Sequence, residues 1–184
     1  NIKGVQHEFS TIPGVLEDVV NIMINLKKMR FRVYADEPQK ALLKIKGLSG
    51  GKQEKEVKGS DFEFPTQVEL INKSCHIATI TDKKADLEME IQIEKGVGYQ
   101  PVEQVKKQRK SEIGAIPLDA IFTPVKRVNH RVENMRVGER TDFDRLYLDI
   151  TTDGTITPEE AFRLASDILI KHFSLFTEGL KISE

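Results

Sequence analysis

A long and unusually apolar helix near the end of the chain is the feature that most constrains the fold. Thr157, Pro158 and Glu160 form a capping box with a proline at the first helical position, which predicts a helix over 157–177. A helix in a two-layer unit normally buries one apolar stripe of about 100°. This helix carries more, so we expect it to need a second partner. Its apolar stripe and the extension around the helix comprise Ala161, Leu164, Ala165, Ile168, His172 and Leu175, with Phe162, Leu169, Phe173 and Phe176.

The composition favours a folded chain without a nucleic-acid or membrane role. The 184 residues are 39% hydrophobic with a net charge of −1, which suits one domain or two small subdomains and shows no basic excess for duplex DNA. No apolar run approaches the roughly 18 residues of a membrane span, and no signal peptide is recognisable. The single cysteine, Cys75, fits a reducing cytosolic setting. Because the sequence begins, at Asn1, within an apparent strand, we expect it to be a fragment of a longer chain.

The remaining pattern predicts one further helix and a series of short strands. Apolar spacing of 3.6 residues predicts a helix over 11–26, and period-2 alternation predicts the strands. The first two strands are expected to form a hairpin, and polar loops are expected over 47–60 and 96–112. The expected strands are 30–34, 42–46, 68–71, 76–80, 87–93, 125–132 and 146–150.

The short motifs that suggest chemistry are each incomplete. His7 begins a zinc-protease-like pair but lacks the second histidine. Cys75 and His76 are adjacent in a strand, so they point to opposite faces and cannot form a dyad. The glycine-containing segments 47–52 and 96–98 lack residues that phosphate and dinucleotide loops require. We therefore predict no catalytic residue, no metal and no cofactor.

One alternative function is a calcium-binding module. Residues 149–160 match a twelve-residue calcium loop at Asp149, Asp153, Gly154 and Glu160. Against it, Thr151 supplies no carboxylate at the third position, and the residues before Asp149 alternate as a strand where the calcium motif has a helix. The competing interpretation of this segment is a strand, a tight turn at Asp153 and Gly154, and a capped helix.

A resemblance covering nearly the whole chain is more specific than any of these motifs. In order and spacing, seven segments closely resemble the N-terminal domain of the bacterial RNA polymerase alpha subunit. They are GVQHEFS at 4–10, NLK at 25–27, GVGY at 96–99, IGAIPLDAIFTPV at 113–125, VEN at 132–134, RVGERTD at 136–142 and DGTITPEEA at 153–161.

The resemblance implies an α+β fold with two parts. Residues 1–119 are expected to be the insert subdomain, built on a mixed or antiparallel sheet. Residues 120–184 are expected to be the second half of an α/β dimerisation subdomain that ends in the long C-terminal helix. In this family the first half of that subdomain precedes the insert and a DNA-binding domain follows, and the resemblance implies that both would lie outside residues 1–184.

The resemblance also implies a non-catalytic role within a nucleotidyltransferase complex, the DNA-directed RNA polymerase of transcription. The alpha subunit forms a homodimer and scaffolds the beta and beta-prime subunits in the bacterial cytoplasm, with a plastid as the less favoured setting. The resemblance implies that this fragment does not bind DNA directly. Large-subunit contact is expected at Lys27, Leu118 (where valine is commoner in the family) and Asp119, and the dimer interface at Phe162, Ala165, Leu169 and Phe173.

Overall fold

The computed structural model describes residues 1–5, 7–48, 54–108 and 115–179. The chain divides into two compact units, Asn1–Thr123 and Pro124–Glu184, which we call unit 1 and unit 2. The resemblance places a boundary four residues earlier, after position 119. The assignment of the two units to particular subdomains stays a prediction.

The described residues of unit 1 form two α-helices, a single 3-10 turn (Gly59–Asp61) and antiparallel strand pairs, and the predicted α+β class is confirmed. In the described residues β1 pairs with β4, β2 with β6, β3 with β5, and β7 with β8. In chain order the elements are α1 (Val19–Leu26), β1 (Phe31–Val33), β2 (Gln39–Lys46), β3 (Lys55–Lys58), β4 (Val68–Leu70), β5 (His76–Ile80), β6 (Asp86–Ile93), β7 (Tyr99–Gln100), α2 (Val102–Gln108) and β8 (Ala120–Ile121).

Apolar side chains on one face of the β2–β6 pair contribute much of the unit 1 core. Leu43 of β2 is fully buried opposite Met89 of β6. Most of the alternate residues face outward and are charged, as where Lys40 donates to the Glu90 carboxylate at 2.9 Å. The half-buried alternation that the sequence predicts for 87–93 is therefore confirmed. The largest fully buried side chains are Ile22, Leu43, Ile77, Ile80, Leu87, Met89, Val19 and Val57.

The first helix is shorter than the sequence predicts, because α1 begins at Val19. Before it, Gly14 has a φ of +77°, and its carbonyl accepts a hydrogen bond of 2.9 Å from the N–H of Thr81 beyond the end of β5. The helix begins only after Asp18, whose carboxylate accepts from the N–H of Asn21 at 2.7 Å. The prediction was wrong for 11–18 because pairing with a distant strand replaces helical hydrogen bonds there.

The predicted hairpin between the first two strands is also wrong. β1 pairs with β4, with Phe31 opposite Leu70, while β2 pairs with β6. The connection between β1 and β2 contains Pro38 and no glycine, so it lacks the residues that favour a tight hairpin turn. The local pattern identified both strands but carried no information about their partners.

Two segments expected to be polar loops contain regular structure. β3 lies within 47–60, pairs with β5 and buries Val57 completely. β7 and α2 lie within 96–112. Local hydropathy missed β3 because Val57 is its one apolar residue, and β5 supplies the pairing. Residues 49–53 and 109–112 of the expected loops lie outside the described part of the chain.

Unit 2, where described, is a long hairpin followed by one helix. β9 (Val125–Val137) and β10 (Arg140–Thr152) pair antiparallel, and Gly138 turns between them with a φ of +64° that favours glycine. Both predicted strands are confirmed and are longer than predicted, because polar residues continue the pairing toward the turn. The predicted final helix is confirmed as α3 (Pro158–Gly179).

The predicted capping box at the start of α3 is present. The N–H of Glu160 donates to the Thr157 hydroxyl at 3.2 Å, and the N–H of Thr157 donates to the Glu160 carboxylate at 3.3 Å. Two backbone donors that the first helical turn leaves open are thereby satisfied.

Substitution of Gly47 tests the close approach at the end of β2. A Cβ atom at Gly47 would overlap the backbone carbonyl of Lys83. We expect Gly47→Ala to lower the free energy of unfolding by about 1–3 kcal/mol, because backbone cannot move aside easily. Gly59→Ala is the control, since its Cβ would meet the movable end of the Leu70 side chain at 2.7 Å. Chemical denaturation measures both variants, and a smaller loss for Gly47→Ala than for Gly59→Ala would contradict the expectation.

Candidate protein-assembly surfaces

The fold brings two of the predicted contact residues of unit 1 together at the end of α1. Lys27 follows the last helical residue, and its own N–H donates to the carbonyl of Met23 at 3.0 Å. Its ammonium nitrogen lies 2.7 Å from Oδ1 and 2.8 Å from Oδ2 of Asp119. The side chains of Lys27 and Asp119 retain 37% and 23% of their exposure, so the ion pair lies at the surface.

Pairing between β7 and β8 holds Asp119 in this position. Tyr99 lies opposite Ile121 in that pair, and its hydroxyl donates to Oδ2 of Asp119 at 3.5 Å. Leu118, the third predicted contact residue, directly precedes Asp119 and is half-buried. The sequence did not single out Tyr99, because its role depends on the pairing of two strands of two residues each.

The Lys27 ammonium favours the ionised form of Asp119. The hydrogen bond from Lys27 holds the pKa of the Asp119 carboxyl below its ordinary value, and partial burial opposes this shift only in part. A partly exposed ion pair of this kind contributes at most about 1 kcal/mol to stability. The pair is therefore not essential to the fold.

Among the described residues, α3 carries a long run of uncovered apolar side chains. Every large apolar side chain from Phe162 to Phe176 is between 44% and 66% exposed. At 100° per residue these side chains cover about two thirds of the helix circumference. The four predicted dimer residues lie along one stripe at spacings of three, four and four residues: Phe162, Ala165, Leu169 and Phe173.

The hairpin of unit 2 has an apolar face that is also exposed. The register places Val132 opposite Leu146 on the same face as Val128 and Leu148, and all four are exposed. The opposite face is more polar, although Met135 and Phe143 pair on it near the turn, and the Arg131 guanidinium lies 4.5 Å from the centroid of the Tyr147 ring. The hairpin therefore presents one face suited to water and one suited to burial.

The described residues of unit 2 bury very little apolar surface. Ala161 is the one buried residue in the described range Pro124–Phe176. A two-stranded hairpin is marginally stable by itself, and most helices in proteins depend on packing of their apolar face. Contiguous apolar surface of this extent is typical of a protein–protein interface.

The segment considered as a calcium loop has the competing structure of a strand, turn and capped helix. β10 continues through Thr152, so the helix that the calcium motif needs before its loop is a strand here. The Asp153 carboxylate accepts from the hydroxyl and the N–H of Thr155 at 2.6 and 3.0 Å, and Glu160 belongs to the capping box. Across the described residues no group of three or more His, Cys, Asp or Glu side chains is arranged to hold a metal ion.

The other residues weighed for chemistry have structural surroundings. The imidazole of His76 lies 2.8 Å from the Glu17 carboxylate and 3.2 Å from that of Glu56. Burial raises the pKa of the Cys75 thiol, which disfavours a reactive thiolate. His7 contacts the Ser10 hydroxyl at 3.3 Å on an exposed turn. Within the described ranges no helix is long and apolar enough to cross a membrane.

An α+β unit with a surface ion pair, joined in sequence to a hairpin and helix with uncovered apolar faces, has the properties of a protein-interaction module. Residues 1–123 match the family described as the RNA polymerase Rpb3/RpoA insert domain, and the chain belongs to this family. The expected resemblance to the bacterial RNA polymerase alpha subunit is thereby confirmed.

Individual relatives extend the similarity through unit 2. The chain is 46% identical over 177 residues to the DNA-directed RNA polymerase subunit alpha of Syntrophomonas wolfei, covering 96% of this chain and 54% of the relative. The alpha subunits of Rubrobacter xylanophilus and Oceanobacillus iheyensis are 44% and 42% identical, over 97% and 95% of this chain and 54% and 53% of theirs. The chain thus spans about half the length of these curated relatives.

The lowered pKa of Asp119 gives a direct test of the ion pair. Because that pKa is lower in the folded chain, the stabilisation is complete above the ordinary carboxyl value and is lost as pH falls through the lowered one. We expect Lys27→Met to raise the pKa of Asp119, measured by carbon-13 NMR titration of the carboxyl group. Lys28→Met is the control, because Lys28 donates to the Asn25 side chain instead. An Asp119 pKa that is unchanged in Lys27→Met would contradict the assignment.

Proposed function

We propose that this chain is a non-catalytic assembly subunit of a bacterial DNA-directed RNA polymerase. Two copies pair with each other, and the dimer scaffolds the beta and beta-prime subunits, which supply the chemistry of nucleotide addition. The observation that carries this proposal is the exposed apolar face of α3 in a chain similar to alpha subunits. In this proposal residues 1–119 are the insert subdomain and residues 120–184 the second half of the dimerisation subdomain.

The proposed dimer contact is the stripe of Phe162, Ala165, Leu169 and Phe173. α3 has 22 residues and is therefore about 33 Å long, which gives this stripe room for several turns of helix packing. Ala165 allows close approach between two helices, and the larger residues on either side supply apolar area. A two-fold axis through the stripe would let each copy bury the same side chains.

The proposed docking surface for the large subunits lies in unit 1. Lys27 and Asp119 offer opposite charges that are already oriented toward each other, and Leu118 precedes Asp119 in the same extended segment. A partner can use such a surface through charge complementarity combined with a small apolar contact. We expect this contact in the bacterial cytoplasm, without direct contact to DNA and without a bound cofactor.

The dimer contact is tested by introducing charge into the apolar stripe. We expect Leu169→Asp to weaken self-association by at least about thirtyfold, as for a central apolar interface residue. Analytical ultracentrifugation over a concentration series measures the shift from dimer to monomer. Lys171→Asp is the control, because Lys171 lies among the polar residues of α3. A Leu169→Asp chain that dimerises as tightly as the unaltered chain would contradict the proposed stripe.

The docking surface is tested by removing the charge of Lys27. The chain is co-expressed with the beta and beta-prime subunits encoded by the same genome and is then recovered by affinity capture. We expect Lys27→Met to reduce recovery of the large subunits by about tenfold, since it leaves Asp119 without its cation. Lys28→Met should recover them normally. Equal recovery with both variants, at unchanged circular dichroism, would count against this surface.

A further inference from the structure

Glu17 makes an unusual set of hydrogen bonds just before α1 begins. Its side chain is 15% exposed. One carboxylate oxygen accepts from the N–H of Thr79 at 2.6 Å. The other accepts from the Thr79 hydroxyl at 3.0 Å and faces Nε2 of His76 at 2.8 Å. All of these partners lie on β5.

The geometry of the backbone explains why a carboxylate is needed here. The N–H of Leu16 donates to the carbonyl of Thr79 at 2.9 Å, so the chain follows the edge of β5 up to this residue. It then turns away into α1, with Asp18 as the helix cap. The Thr79 N–H is consequently left without a backbone acceptor from this segment. The Glu17 side chain takes that place, which avoids the cost of an unsatisfied backbone donor.

A second hydrogen bond fastens α1 to the same strand. The side-chain amide of Asn25 donates to the carbonyl of Ile77 at 3.1 Å. Between the two polar attachments, Val19 and Ile22 are fully buried. α1 has eight residues and a length of about 12 Å. Its start and its end are therefore both held on β5, and Lys27 lies two residues after the second attachment.

We propose that Glu17 is a positioning residue, which fixes the start of α1 on β5 and thereby sets where Lys27 is presented. This inference rests on the proposed function, because it assigns Glu17 a role in docking the large subunits. Glu17 itself lies at the opposite end of α1 from Lys27 and acts through the helix.

The charges around Glu17 support this role. Burial alone would raise the pKa of the Glu17 carboxyl, but hydrogen bonds from Thr79 and His76 outweigh that effect and lower the pKa. Nδ1 of His76 faces Glu56 at 3.2 Å, and Glu56 in turn pairs with Lys58 at 3.1 Å. Glu17 is therefore ionised at neutral pH, and an ionised carboxylate is the stronger acceptor.

Glu17→Gln in the whole chain tests the proposal, because it keeps the shape and replaces one acceptor oxygen with a donor. We expect the amides of Ile22 in α1 and of Lys27 directly after it to exchange with solvent about tenfold faster, while β2 and β6 amides are unchanged. Recovery of co-expressed beta and beta-prime subunits should fall as it does for Lys27→Met. Glu37→Gln, in an exposed turn, is the matched control and should change neither measurement.

A second pair of variants, at Thr79, tests the same hydrogen bonds without changing Glu17. Thr79→Val removes the hydroxyl donor and keeps the branched shape, and Thr79→Ser restores that donor. We expect Thr79→Val to raise α1 exchange by about threefold with a parallel loss of recovery, and Thr79→Ser to retain both.

The outcomes separate this inference from the proposed function. Loss of recovery with Lys27→Met but normal recovery with Glu17→Gln and Thr79→Val would overturn the positioning role and leave the proposed function intact. Equal recovery of the unaltered chain and Lys27→Met would overturn the docking surface itself. Faster exchange in β2 and β6 together with α1 would show a general structural role and would also overturn the proposal.

Discussion

Burial of β5 is the constraint on which the rest of unit 1 depends. Ile77, Ala78 and Ile80 are fully buried, so the strand must be covered on its faces as well as paired at its edges. β3 pairs along one edge, the segment before α1 bonds to the other, and α1 packs against the strand. This burial brings α1 onto β5, and the hydrogen bonds of Glu17 and Asn25 hold the two ends of the helix there.

In unit 2, the described residues do not cover their own apolar side chains as those of unit 1 do. Its hairpin and α3 have the alternation and the helical stripe that normally build a core, yet nearly all of these side chains remain exposed. The capping box and the turn at Gly138 fix local structure without supplying burial. Local signals and tertiary stabilisation are therefore separable here, and the uncovered surface has to be buried against something else. A second copy of α3 is the partner we propose.

The parts of the fold that could be predicted are those whose signals are local. The start of α3 was predicted because cap, proline and acidic residue lie within four positions of each other. The start of α1 was not, because the apolar period continues back through residues whose backbone actually bonds to β5. Strand partners, and the existence of β3, depend on residues far away in sequence, which periodicity does not report.

The two candidate surfaces also differ in whether a local sequence signal predicts them. The apolar excess of α3 was visible in the sequence itself, whereas Lys27, Leu118 and Asp119 were selected through family resemblance. That Lys27 and Asp119 pair with each other could not be read from positions separated by 92 residues. Glu17 was missed altogether, since nothing in its neighbours along the chain indicates that Thr79 and His76 surround it.

The internal pairing of Lys27 bears on how a docking contact of this kind would work. A free lysine has to lose much of its side-chain freedom when it binds, which reduces the affinity gained. Asp119 already orients the ammonium group, and that group has three N–H donors, so a partner carboxylate can be bound without breaking the existing pair. Docking would also remove water from a pair that is now partly exposed, which strengthens the attraction between the charges. An ion pair that contributes little to the stability of the chain can in this way contribute more to its assembly.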